Sequence, residues 1–276
     1  MSLLRVRGLK LSGKDLDFLA ETAFPEVTDK FKLKEIIKED QDFRNSFIQD
    51  VKVFRRVMDD DGILLKISPG LFFEILLRKA ASDLEEVSYT IEKTSAIKTP
   101  VFDAKDVVEL LGKESLLGYL AHMLSSFTKT GSHAVSFKAK DGNLTNVRLS
   151  DLDIRGLKAL SEAVDDGHRL GLYKRIGDIC LFILGIFPDY AEGGCRYPLS
   201  RETGPQIGAM AGIGPEDYER EGRKFYKLAA EHASAKELAL SQVFWALHDN
   251  FQKAKKPLNF ISQYYLQQNG MRFFAQ

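Results

Sequence analysis

Residues 170–187 read LGLYKRIGDICLFILGIF, and the rest of the fold is interpreted relative to this segment. In its second half, only Gly185 is neither aliphatic, aromatic nor cysteine. A helix that is apolar on every side is enclosed by neighbours, so we predict a buried central helix. Its first half carries Lys174, Arg175 and Asp178, which predict a polar end. Because a bilayer-spanning helix needs about 20 apolar residues, the segment is too short to cross a membrane.

The composition limits the classes of protein to which this chain can belong. The 276 residues allow one large domain or two small ones, and 44% hydrophobic residues suffice for a sizeable core. Lys+Arg and Asp+Glu both number 39, so no net charge attracts nucleic acid or an anionic membrane. Cys180 lies in the apolar segment and Cys195 in a glycine-rich stretch, which predicts no disulfide. The N-terminal residues include no long apolar run of the secretory type, so we expect a cytoplasmic protein.

Amphipathic patterns on both sides of the central segment predict further helices. Phe43, Phe47, Val51 and Phe54 recur at intervals of four, four and three, which places one apolar stripe on one helix face. Residues 134–149 change period, because apolar and polar residues alternate there around an Asp-Gly pair. We therefore predict a mainly α fold, a multi-helix bundle around a buried central helix, with one small β-hairpin at residues 134–149.

Short patterns give several local predictions. Ser12 and Ser68 each predict a helix N-cap, and a proline follows Ser68 at the first helical position. The remaining predictions are an extended entry at residues 63–67, an extended surface connection at residues 88–102, one helix over residues 235–251, and a further helix that starts at Pro257.

Composition shifts divide the chain into three predicted parts. A helical core domain with the hairpin covers residues 1–192, and a C-terminal helical subdomain packed on it covers residues 215–276. Between them, residues 193–214 form a loop with six glycines and two prolines. Long loops in compact domains are usually functional or mobile, so this loop could cover a site as a lid.

The polar start of the central helix holds the candidate catalytic residues. On a helix wheel, Arg175 lies within about 20° of His168 and Asp178 lies about 80° away, with Asp165 one turn before His168. A desolvated aspartate beside arginine and histidine suits general acid–base catalysis. The alternative is a structural ion pair of Asp178 with Arg175 or Lys174 that orients the helix. We favour the ion pair, because such pairs also serve structure alone.

No metal or cofactor motif is found in the sequence. The histidines lack the spacing of a zinc-binding HExxH helix, and there is no CxxC pair. The glycine run at residues 208–214 lacks the Lys-Ser/Thr of a phosphate-binding loop and follows no predicted strand. We therefore predict neither a metal site nor a cofactor.

Four stretches carry a family resemblance: SPGLFFEILLRKA (68–80), TPVFDAKDVVELL (99–111), YLAHMLSSFTKT (119–130) and YKRIGDICLFILGIFPD (173–189). Together they resemble a family of uncharacterised bacterial helical proteins. The resemblance extends over residues 63–265 and implies a bacterial, cytoplasmic origin and one continuous domain. It implies no activity and no functional residue.

Two classes of function fit these observations. Amphipathic C-terminal helices, zero net charge and the lack of a catalytic motif favour a non-enzymatic interaction or regulatory protein that binds a protein or peptide partner through its C-terminal face. The alternative is a hydrolase- or lyase-type enzyme that uses Asp178, Arg175 and His168 beneath the glycine-rich loop. Nucleic-acid binding would need a basic stripe assembled in three dimensions, and the sequence leaves the oligomeric state open.

Overall fold

The computed structural model describes residues 10–87, 89–94, 97–128, 132–138, 144–150, 152–191, 214–266 and 274. The helices of the first half are α1 (Gly13–Ala23), α2 (Lys30–Glu39), α3 (Gln41–Ile48), α4 (Val51–Asp59), α5 (Ile63–Lys66), α6 (Pro69–Val87), α7 (Ala104–Leu111) and α8 (Glu114–Ser126). Those of the second half are α9 (Ile154–Ala163), α10 (Asp166–Ile186), α11 (Pro188–Ala191), α12 (Pro215–Glu231), α13 (Ala233–Glu237), α14 (Ser241–Asp249) and α15 (Phe251–Ile261), followed by a π-helical turn at Ser262–Leu266. The fold is mainly α, as the sequence predicts.

Strands in the described residues are confined to two two-stranded sheets. β3 (Ser132–Lys138) and β4 (Leu144–Ser150) pair antiparallel, with Val135 opposite Val147, which confirms the predicted hairpin. Its predicted turn at residues 141–142 lies outside the described residues. The second pair, β1 (Thr90–Thr94) and β2 (Ile97–Val101), occupies the stretch predicted as an extended connection. That stretch is rich in Thr, Ile and Val, which suit a strand but give no alternating pattern that would reveal the pairing.

Contacts between residues group the described chain into two units. The N-terminal unit contains the residues up to Thr90 together with Val101–Ser125, and the C-terminal unit contains Ile91–Pro100 and the residues from Ser126 onward. α10 and the helices after residue 214 therefore belong to the same unit. The predicted three-part division of the chain stays a prediction, because its middle part, residues 193–213, lies outside the described residues.

In the N-terminal unit, the fully buried Asp15 joins the starts of two helices. Its carboxylate accepts hydrogen bonds from the backbone nitrogen and the hydroxyl of Ser12, both at 2.8 Å, and from the backbone nitrogen of Ser68 at 2.7 Å. The Ser12 hydroxyl in turn caps α1, and the Ser68 hydroxyl accepts from the Leu71 nitrogen at the start of α6. Both predicted caps are confirmed.

The core of the C-terminal unit is α10, which packs against α9, α12 and α15. Every residue from Ile176 to Ile186 is buried, whereas the residues of α10 before Ile176, apart from the buried Leu170, are exposed or half-buried. A helix buried over eleven consecutive residues has neighbours on all sides, as its apolar sequence predicts. No helix in the described part of the chain is long and apolar enough to cross a membrane.

Glycines bring α10, α12 and α15 unusually close together. A Cβ atom on Gly222 of α12 would lie 2.5 Å from the Phe251 ring and 2.9 Å from Cβ of Cys180. On α10, a Cβ on Gly177 would lie 2.9 Å from the Tyr226 ring, and one on Gly185 would lie 2.6 Å from Cβ of Leu258. Real Cβ atoms do not come this close to other heavy atoms, so these three helix faces require glycine.

The C-terminal end of α10 is capped by side chains from the last helical segment. The Asn259 amide donates to the carbonyl oxygens of Leu184 and Gly185 at 2.9 and 2.7 Å. The Ser262 hydroxyl donates to the Ile186 carbonyl oxygen at 2.7 Å. The last carbonyls of a helix have no partner within it, so these three bonds allow α10 to end in a buried environment.

Three local predictions are wrong. Ile63–Lys66 is the helix α5 rather than an extended entry, because a short apolar run does not distinguish strand from helix. Residues 235–251 do not form one helix: α13 ends at Glu237, and Ala239 adopts a left-handed φ of 56° before α14 begins. Pro257 does not start α15 but lies inside it, buried beside Leu258. Packing on α10 outweighs the loss of one backbone hydrogen bond there.

Candidate functional site

Asp178 is the centre of the predicted catalytic site, and the structure encloses it completely. Its side chain has 0% exposed surface. One carboxylate oxygen accepts a hydrogen bond from the Lys174 ammonium at 2.5 Å, and the other accepts from the Tyr226 hydroxyl at 2.9 Å. Lys174 lies one turn earlier on α10, and Tyr226 comes from α12. The arrangement is an ion pair that also joins two helices, the structural alternative that the sequence predicts with Lys174.

Arg175 is the second predicted catalytic residue, and it contacts the last residue of α8 and the residue that follows it. Its guanidinium donates to the Ser126 hydroxyl at 2.9 Å and lies 4.0 Å from the centre of the Phe127 ring. The Phe127 ring stacks in turn on Phe182 of α10, with ring centres 4.0 Å apart. Arg175 therefore covers one end of an aromatic stack.

His168, the third predicted residue, lies in the exposed first turn of α10. Its backbone nitrogen donates to the Asp165 carbonyl at 3.0 Å, and Asp165 itself is exposed. Ten residues of helix separate His168 from Asp178, which is about 15 Å along the axis. His168 therefore does not reach Asp178: His168 lies in an exposed turn of α10, whereas Asp178 lies in the buried part of the same helix. The predicted lid, residues 193–213, lies outside the described residues.

Cys180 is a second reactive group on α10, and burial suppresses its chemistry. The thiol is fully buried and free. Burial raises its pKa well above the ordinary value, and the nearby Glu221 carboxylate acts in the same direction. Since the thiolate is the nucleophilic form, Cys180 serves as a small packing residue.

The N-terminal unit also holds a charge cluster around the buried Arg78 and Glu74, which the sequence patterns above do not predict. Arg78 of α6 donates to Glu74 at 2.9 and 3.1 Å, to both oxygens of Glu114 at 2.8 and 3.1 Å, and to the Asn45 side-chain oxygen at 3.0 Å. Burial alone would lower the pKa of the Arg78 guanidinium, but Glu114 and Glu74 outweigh it and the pKa is raised. One oxygen of Glu74 is buried without a hydrogen-bond partner among the described residues. The spacing Glu74–Arg78 is the helical ion-pair spacing, which was the available sequence signal.

Metal binding has no support within the described ranges. No group of three or more His, Cys, Asp and Glu side chains is placed there to hold an ion.

An exposed aromatic pair lies where the chain passes from α6 through the β1–β2 pair to α7. The Tyr89 and Phe102 rings meet edge to face with their centres 6.2 Å apart. Phe102 is 83% exposed, Tyr89 is 39% exposed, and Val87, two residues before Tyr89 in the chain, is also exposed. The Thr90 hydroxyl donates to the Asp103 carboxylate at 2.6 Å, which fixes the two chain segments next to each other. We call Val87, Tyr89 and Phe102 the aromatic patch; all three belong to the N-terminal unit.

Comparisons with known proteins add no assignment to this geometry. No protein-family model, no curated protein sequence and no solved structure matches the chain. The resemblance to bacterial helical proteins therefore stays a prediction.

Proposed function

We propose that the protein is a cytoplasmic, non-enzymatic helical protein that binds a protein or peptide partner through the aromatic patch. The observation that carries the proposal is the exposed contact between Tyr89 and Phe102. Single exposed apolar residues are ordinary, but two aromatic rings in contact at the surface form a contiguous apolar area. Aromatic residues are also enriched at the centres of protein interfaces.

Phe102 is the side chain of the aromatic patch with the most apolar surface left to bury. Full burial of a phenylalanine side chain contributes about 1.5–3 kcal/mol, and this residue makes almost none of that gain within the chain. A partner that covered both rings would gain most of it for Phe102 and part of it for Tyr89. The hydrogen bond between Thr90 and Asp103 holds the two chain segments that carry the rings next to each other, so binding would not have to order the backbone there.

The proposal assigns the binding surface to the N-terminal unit rather than to the C-terminal helices that the sequence favours. Of the large apolar side chains that are exposed in the described residues, all but Tyr264 belong to the N-terminal unit. The C-terminal helices α12, α14 and α15 direct their buried residues to α10 and to one another. Tyr264 packs its ring against Phe260 of α15, with ring centres 4.5 Å apart.

The hydrolase or lyase alternative draws no support from the described residues. A catalytic acid or base must come within hydrogen-bond distance of a substrate. Both oxygens of Asp178 already accept hydrogen bonds inside the protein, and none of its surface is exposed. A bacterial origin rests on the family resemblance alone.

A displayed library of random peptides tests the binding function. Peptides selected on the immobilised wild-type protein should lose binding to the Phe102→Ser variant. The matched control is Leu65→Ser, because Leu65 is 80% exposed on α5 of the same unit and lies outside the aromatic patch. The selected peptides should bind this control as they bind the wild type.

Neither substitution removes a buried contact, so both variants should unfold at the wild-type temperature. The proposal is contradicted when the selected peptides bind the Phe102→Ser variant as tightly as the wild type, or when the selection enriches no peptide.

A further inference from the structure

Carboxylates border the aromatic patch on the α6 side. Glu85 and Glu86 are both exposed in the last turn of α6, directly before Val87, and that turn holds no basic residue. The unpaired carbonyl groups give a helix C-terminus a partial negative charge, so carboxylates are unfavourable there. The side chains and the end of α6 therefore add to the same negative potential beside the patch.

The α7 side of the patch carries charges of both signs. Asp106 and Glu109 are exposed on α7, which packs against α6, and Lys105 is the one exposed basic residue of that helix. Glu109 and Lys105 balance each other in charge, so the negative potential beside the patch comes from Glu85, Glu86 and the end of α6. The whole chain, in contrast, has a formal net charge of zero.

We infer that the segment which docks on the aromatic patch is basic, a peptide segment with arginine or lysine beside an apolar residue. This inference rests on the proposed binding function and adds the chemistry of the partner. The basis of the inference is charge complementarity. An acidic or neutral segment would leave Glu85 and Glu86 without a counter-charge at an already negative helix end.

Two contacts are available to such a segment. Its apolar residue would cover the rings of Tyr89 and Phe102, whose exposed faces also attract a guanidinium or ammonium group. A guanidinium would, in addition, pair with the carboxylates of Glu85 and Glu86, for which arginine has the better geometry because it donates two parallel hydrogen bonds. Binding should therefore be tighter for arginine than for lysine, and weaker at high salt.

Three labelled synthetic peptides of equal length test the inference by fluorescence polarisation. They share the same leucine positions and carry arginine, glutamine or glutamate at the other positions. We expect the arginine peptide to bind the wild type about tenfold more tightly than the glutamine peptide, a ratio equivalent to about 1.4 kcal/mol. The double variant Glu85→Gln, Glu86→Gln should reduce this ratio towards one, and Phe102→Ser should abolish binding of both peptides.

A matched control separates a local effect from a general change of charge. Glu39 is exposed as the last residue of α2 in the same unit, so Glu39→Gln removes a carboxylate from another helix end and should leave the ratio unchanged. The double variant should also fold as well as the wild type, because it removes an unfavourable charge from the end of α6.

The outcomes distinguish the inference from the function on which it rests. If the glutamine or glutamate peptide binds as tightly as the arginine peptide and still depends on Phe102, the basic partner is wrong and the binding function stands. If no peptide binds in a manner that depends on Phe102, both are overturned. If the arginine peptide binds the Phe102→Ser variant like the wild type, its binding is non-specific attraction and the inference is wrong.

Discussion

Asp178 gives the clearest case in this chain of a buried charge that serves structure. Removing a carboxylate from water is costly unless hydrogen bonds and an opposite charge compensate for it. The Lys174 ammonium and the Tyr226 hydroxyl provide that compensation on two different oxygens. Because Tyr226 comes from α12, correct pairing of Asp178 also requires the correct packing of α12 on α10.

The Asp178→Asn variant should therefore lose stability. We expect the free energy of unfolding, measured by urea titration, to fall by about 3 kcal/mol, because the substitution removes the charge that pairs with Lys174 at the buried carboxylate. Tyr226→Phe should lower it less, by about 1–2 kcal/mol, because it removes one hydrogen bond and keeps the ion pair.

Asp165→Asn is the matched control on the same helix. Asp165 is exposed and makes no side-chain capping bond, so this variant should stay within about 0.5 kcal/mol of the wild type. A wild-type stability for Asp178→Asn would contradict the structural role assigned to this residue.

The Cys180 thiol provides a chemical test of burial at the same helix. In a Cys195→Ser background, a thiol reagent should react with the folded protein only as fast as the protein unfolds, because the thiol is fully buried and its pKa is raised. Because the folded-state pKa is raised, the contribution of this thiol to stability is fully present below the pKa of the unfolded thiol, about 8.5, and is lost as the pH rises above it. Rapid labelling under native conditions would contradict the burial of Cys180.

At the scale of secondary-structure elements, close packing through glycine distinguishes α10, α12 and α15. Gly222→Ala should lower the free energy of unfolding by about 1–3 kcal/mol, because its Cβ would overlap the Phe251 ring and Cβ of Cys180. Gly167→Ala on α10 is the matched control, since nothing lies within 4 Å of its Cβ position. Alanine there should raise stability by up to about 1 kcal/mol through its higher helix propensity. Equal effects of the two substitutions in thermal unfolding would contradict the close approach of these helices.

The elements that the sequence predicts correctly are those with long, regular patterns. The apolar run after Asp178 predicts α10 as a buried helix, and the serine caps predict the starts of α1 and α6. The wrong predictions concern short or irregular segments. Ile63–Lys66 is too short for its period to be recognised, and Ala239 ends a helix turn without the glycine or proline that would signal a break.

The candidate site is less predictable than the elements, because it depends on contacts between distant residues. Lys174 and Asp178 show helical ion-pair spacing, so their contact is recognisable from the sequence. Tyr226 lies 48 residues after Asp178, and nothing in the local pattern connects them. Phe102 likewise resembles a core residue, and only the structure reveals that its ring stays exposed beside Tyr89.

At the scale of the whole molecule, the order of the chain does not follow the order of the units. The N-terminal unit is completed by α7 and α8, which come after residues that belong to the C-terminal unit. A division of the chain by composition does not detect that Ile91–Pro100 belongs to the C-terminal unit, because composition distinguishes only consecutive stretches of sequence. The C-terminal unit depends most on α10, which contacts α9, α11, α12, α13 and α15.

Native-state hydrogen exchange over Ile176–Ile186 tests the burial of α10, the helix against which α9, α12 and α15 of the C-terminal unit pack. A helix enclosed on all sides should release its amide hydrogens only when the surrounding structure unfolds. We therefore predict that these amides exchange with the same free energy of opening as the global unfolding measured by denaturant. Exchange of the same amides at a rate close to that of an unstructured peptide would contradict the account.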